Sequence, residues 1–155
     1  MIYDKLKEFG IEHKLYAAAS VMCLPENILT ESELYKLIEP SDQIWLVKRL
    51  REEGVKVFTL YDAKIDVGNL ERRGDERWYG HVVIDKVTIP ILVAVLSGTF
   101  VLALDRATKD ERPSNKVHID LTVKNEDQET RINFDGNGEI LVKILDSLKA
   151  DEERN

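Results

Sequence analysis

The sequence predicts an α/β protein, shading to α+β at its C-terminal end: a small sheet with helices packed on it, an apolar central helix, and a C-terminal β-hairpin followed by a helix. Three observations predict it. Between residues 15 and 61 a strand-like run, two helix-like runs and a second strand-like run follow one another, the order of a crossover unit. Residues 117–134 hold two stretches of alternating apolar and polar residues separated by a polar turn. Residues 87–104 carry no charge, in a chain where 33% of residues are charged.

The elements follow in order. Ile2, Leu6 and Phe9 recur at helical spacing and stop at Gly10. LYAAASVMCL, residues 15–24, is apolar almost throughout and precedes Pro25, as a strand buried on both faces would. TESELYKLI opens with Thr30 and Glu33 at capping-box spacing, which predicts a short helix ended by Pro40. A second helix is expected from Ser41 or Asp42 to Glu53, with Ile44, Val47 and Leu50 on its apolar face and Gly54 as its stop. VKVFTLYD and WYGHVVID have strand composition, and residues 62–77 between them are expected to form an exposed loop.

In the C-terminal part Val117, Ile119, Leu121 and Val123 point one way, and His118, Asp120 and Thr122 the other. TRINFD repeats the alternation after the hairpin loop NEDQE, and a last helix begins near Asn137 with Ile140, Leu141, Ile144, Leu145 and Leu148 on one face. The expected organisation is an α/β part over 1–86, the apolar segment over 87–106, and a hairpin-helix part over 107–155 packed with the first as one domain.

The apolar segment admits three readings. As a membrane helix its eighteen residues would rise about 27 Å, slightly less than the hydrocarbon thickness of about 30 Å. As a buried helix it would start near Pro90, tolerated in a first turn because the N–H it lacks is unpaired there. As a hairpin, ILVAVL and TFVLAL would flank Ser97 and Gly98, and eight β-branched residues favour strands. The buried helix is the primary expectation, with a subunit interface helping to cover it. The alternative is a single-pass inner-membrane protein that couples two small domains.

Charge and cysteine usage narrow the function. The formal charge of −7 divides into −3 over residues 1–86 and −4 over 105–155, so neither part offers the basic surface that displaces counterions from phosphates, and no nucleic-acid partner is expected. The single cysteine, Cys23, forms no intrachain disulfide, and MIYDKLKEFG lacks the apolar run of a signal peptide, so a cytoplasmic location is expected.

Candidate sites are few. ERRGDERWYG combines Arg72, Arg73 and Arg77 with Trp78 and Tyr79, residue types enriched at binding hot spots, and its acidic neighbours favour a protein partner over a phosphate ligand. NFDGNGEI has an EF-hand's first ligand spacing but Ile144 at the twelfth position, so a strand-to-helix turn capped by Asn137 accounts for it better. His118 and Asp120 share a strand face without a third partner, and Cys23 lies in an apolar run. No metal or cofactor is expected. A small enzyme using Asp62, Asp66, His81 or His118 is a further alternative, although no glycine-rich phosphate loop, GxSxG, HExxH or CxxC pattern occurs.

From the apolar run onward, the order of an uncharged helix, the linker DRATKDERPSNK, the hairpin VHIDLTVKNEDQETRINFD and the helix GEILVKILDSLK resembles small effector-associated helper domains of bacterial conflict systems. The resemblance covers about the last 65 residues. It implies an adaptor or accessory module that binds protein partners, and it transfers no site residues. The functional expectation is a noncatalytic interaction or accessory protein that associates with itself.

Overall fold

A computed structural model describes residues 1–72, 76–105, 116–126 and 128–153. Five strands form one mixed sheet in the order β3-β1-β5-β6-β7. These are β1 (Val21–Leu24), β3 (Val57–Phe58), β5 (Arg77–Asp85), β6 (Lys116–Asn125) and β7 (Gln128–Asn137). A second, two-stranded sheet pairs β2 (Ile38–Pro40) with β4 (Gly68–Leu70). The helices are α1 (Ile2–Glu8), α2 (Ser41–Glu52), α3 (Ile89–Asp105) and α4 (Gly138–Glu153). The expected α/β architecture is present, and strands from both sides of the apolar segment share the main sheet.

The crossover is present too: β1, α2 and β3 follow in sequence, and β1 pairs with β3 in parallel. β5 runs antiparallel to β1 and parallel to β6, and β6 and β7 form the hairpin. One face of the sheet meets α2, α3 and α4 over Val21, Cys23, Val82, Ile84, Ile119 and Leu121. On the other face Met22, Leu24, Phe58 and Val83 pack against Ile2, Leu6, Tyr16, Ile28 and Leu37. The two packed layers bury Tyr79 to Ile84 without interruption, as befits a central strand.

The uncharged segment is a helix. Lys86–Thr88 form a 3-10 turn capped by the Asp85 carboxylate, which accepts from the Thr88 backbone N–H at 3.0 Å and hydroxyl at 2.6 Å. Pro90 then falls in the first turn of α3, where the lost N–H costs nothing. Ile89, Leu92, Val95 and Leu96 lie at helical spacing and are buried in the core. The hairpin reading is thereby replaced, and among the described residues no helix is long and apolar enough to cross a membrane.

Other local expectations give way to tertiary context. Residues 15–20 hold the end of a 3-10 turn (His13–Leu15), a further turn and a bend, and strand pairing starts only at Val21, where partners from Val57 and Ile84 become available. Ala17 to Ala19 have little strand preference to extend it. TESELYKL is a loop with one 3-10 turn, Leu34–Lys36, and the following Ile38–Pro40, expected to end a helix, form β2. There the Asn27 side chain donates to the Lys36 carbonyl and accepts from the Ile38 N–H, both at 3.0 Å, which closes the loop while Leu37 is buried. A capping box occurs instead at Thr59 and Asp62, on the 3-10 turn Leu60–Ala63 that cuts β3 short. In α2 the buried face is Gln43, Leu46, Val47 and Leu50, and Ile44 is exposed. In α4 Leu141 and Leu145 are buried and Ile140 is exposed, while Asn137 accepts from the Glu139 N–H at 2.8 Å, the capping role its position predicts.

Candidate functional site

The candidate site lies on the β5-β6-β7 face opposite α2, α3 and α4 and depends on one irregularity. Strand alternation would place Trp78 and His81, three residues apart, on opposite faces. A register shift between Trp78 and Gly80 prevents this: Trp78 pairs with His118, Gly80 with Ile119 and His81 with Asp120. Gly80 has φ +70°, a conformation that favours glycine. The extra residue puts Trp78 and His81 on one face beside His118 and Asp120 and sends Tyr79 into the helix-side core.

Two groups of side chains result. In the first, the rings of Trp78 and His118 stack at 3.6 Å with planes 11° apart, and the Arg72 guanidinium covers the Trp78 ring at 3.9 Å. Arg72 is held in place by Glu26 at 2.6 Å. The His118 ring nitrogens meet two carboxylates, Nε2 with Glu76 at 3.1 Å and Nδ1 with Asp135 at 2.7 Å. In the second group, His81 is buried with Nδ1 3.3 Å from Asp120 and Nε2 3.4 Å from the Thr122 hydroxyl. Arg131 donates to both Asp120 oxygens, at 3.0 and 2.6 Å, a bidentate fork. Burial pushes the Asp120 carboxyl up, but hydrogen bonds from His81 and Arg131, with their charges, outweigh it and hold it well below the usual carboxylate range.

The residues of the predicted binding cluster separate. Arg72 and Trp78 stack; Arg77 lies nearby and pairs with Asp42 at 3.4 Å, while the Trp78 backbone N–H donates to the same carboxylate at 2.9 Å. Tyr79 is fully buried and is a core residue, not a surface one, because the bulge turns it inward. Arg73 lies outside the described residues. The partner that His118 and Asp120 lacked in the sequence is supplied by β5, whose His81 reaches Asp120. The glycine within WYGHVVID was its available signal, since a glycine inside a strand marks a bulge.

A hollow of about 260 Å³ opens beside Trp78, His118, Asn133 and Asp135. All four nitrogens of the two imidazoles face a carboxylate or a hydroxyl, which orients the rings. Among the described residues no group of three or more His, Cys, Asp and Glu side chains is placed to hold a metal ion. Asp62 stands apart from the histidines: it caps the turn after β3, accepting from the Thr59 N–H at 2.8 Å, and pairs with Arg51 at 3.2 Å. It lines a separate open groove of about 820 Å³ with Glu39, Ile44, Arg51 and Tyr61. Cys23 is buried, and burial pushes its thiol up to about 12, the setting of a packed cysteine and not of an activated nucleophile.

What this face presents outward is therefore an aromatic-cationic stack, a chain of ion pairs and, beside them, the outer edge of β7. That edge is ten residues long and has no strand partner among the described residues. Comparison with models of known families, with curated proteins and with solved structures finds no match for the chain.

Proposed function

We propose that this chain is a noncatalytic interaction or accessory protein that works through protein–protein contacts on the β6-β7 side of its sheet. The observation that carries the reading is the edge of β7, without a strand partner among the described residues, on the same sheet as the Arg72–Trp78–His118 stack, which reaches β7 through the contact of His118 with Asp135. An edge strand leaves every second N–H and C=O unpaired and available to an added strand, while side chains on the two faces select the partner. Tryptophan and arginine are the side chains that dominate such contacts.

A cytoplasmic accessory role beside an effector of a bacterial defence system fits the resemblance of the last 65 residues to helper domains of conflict systems. Self-association fits the same edge.

Hydrogen exchange tests the reading. The outward amides of β7 are expected to exchange slowly at high protein concentration or in extract of the cells that make the protein, and quickly in dilute pure solution. Fast exchange of those amides under every condition would overturn it.

A further inference from the structure

We infer that the occupant of the β7 edge is a second copy of this chain, paired antiparallel about a two-fold axis through Asn133. The inference rests on the interaction reading above and adds its partner and register. With the axis perpendicular to the sheet, the helix layers of both copies stay on one side, and residues directly opposite each other share a face.

Two registers overlap β7 with itself over nine residues, and charge separates them. With Ile132 on the axis, Glu129 lies opposite Asp135 twice and like charges face each other. With Asn133 on the axis, Arg131 lies opposite Asp135 twice, and Glu129 meets Asn137. The same shift sets Ile132 opposite Phe134 on the helix side, where both already pack on the core.

The rows then continue those of the hairpin. Arg131 already pairs with Asp120, and Asp135 with His118. Joining Arg131 to Asp135 of the second copy makes a chain of charge from Asp120 to His118 across the junction, formed twice. Both contributing side chains are open to it: Arg131 is 43% exposed and Asp135 59%. Charges on an edge strand ordinarily keep other chains away. Here their order, negative, positive, negative along Glu129, Arg131 and Asp135, rejects one register and matches the other.

Cysteine cross-linking reads the register directly. In the proposed pairing Asn133 faces its own copy at about 4.5 to 5.5 Å between Cα atoms, inside disulfide range, whereas the two copies of Arg131 are offset along the strands by roughly 13 Å. Buried Cys23 gives little background. On oxidation of the full chain Asn133→Cys is expected to form a covalent dimer and Arg131→Cys none. By light scattering the native chain should be a dimer. Asp135→Lys, which sets lysine opposite Arg131, should weaken it at least tenfold, while Glu129→Lys leaves it unchanged.

Circular dichroism checks that each variant folds. A dimer in which Asn133→Cys does not cross-link overturns the register and the inference with it. A monomer at all concentrations also overturns it; if the β7 amides are then protected in cell extract the interaction reading survives with a different partner, and if they are not, both fail.

Discussion

The Gln43 side-chain amide nitrogen occupies the space that a side chain on Gly80 would enter: a Cβ added to Gly80 falls 2.8 Å from Nε2 of Gln43 and 3.2 Å from the Leu24 carbonyl oxygen. That nitrogen donates to the carbonyls of Leu24 at 2.7 Å and Tyr79 at 2.8 Å. It thus ties β1 to β5 where their ladder ends, next to the bulge that aligns Trp78 with His118.

Gly80→Ala is expected to destabilise the fold by at least about 1 to 2 kcal/mol from the left-handed backbone alone, with the contact on Gln43 adding to it. Gln43→Ala removes both of these hydrogen bonds and should cost about 1 to 3 kcal/mol in all. Because truncating Gln43 also clears the space at Gly80, the double variant should lose less than the two singles together. Urea denaturation of the four proteins measures the coupling, and strict additivity would contradict it.

Asp120 predicts an acid limit to stability. Its carboxyl is depressed below the ordinary 3.8, so the ionised form favours the folded state. The contribution is fully present above the unfolded value and is lost as pH falls through the lower folded one. Native protein should therefore lose more stability between neutral and strongly acidic pH than Asp120→Asn. Parallel stability curves for the two would refute the prediction.

Glu39 predicts the opposite sign. It is buried, and desolvation pushes its carboxyl above the ordinary 4.5 against a hydrogen bond from Tyr61. Folding then prefers the protonated form, so the group's contribution weakens as pH rises through the raised value. Glu39→Gln is expected to melt higher than the native chain at neutral pH, with the advantage shrinking as pH approaches the ordinary carboxylate range. Thermal melts across pH decide it, and a Gln variant that melts lower at neutral pH counts against the account.

The uncharged segment predicts a contrast within itself. Leu96 has no exposure, so Leu96→Ala should cost about 2 to 5 kcal/mol, whereas Val87 is 78% exposed and Val87→Ala should stay within about 0.5 kcal/mol. Chemical denaturation checks both; equal losses would mean that α3 does not pack by the face containing Leu96.

Where one element buries one face, its pattern could be read directly. The alternation in β6, the cap of α4 at Asn137 and the place of Pro90 at the start of α3 all express local periodicity or local hydrogen bonding. The candidate site was less legible. Residue type singles out Arg72 and Trp78, but it places Tyr79 with them at the surface, and only the bulge at Gly80 turns Tyr79 into the core. His81 and His118 lie in different strands, and only their registers bring both beside Asp120 and Asp135.

By itself the sequence determined the α/β class, the crossover from β1 to β3, the hairpin-helix end and the acidic balance, since each follows from periodicity, chain order or composition. The tertiary structure decided what covers α3, where β1 begins, why residues 30–37 do not form a helix, and which side chains meet across β5, β6 and β7. Those outcomes depend on partners distant in the chain. Strand pairing sets β1, core burial and side-chain hydrogen bonds fix the loop, and one added residue at a bulge changes which face every later side chain occupies.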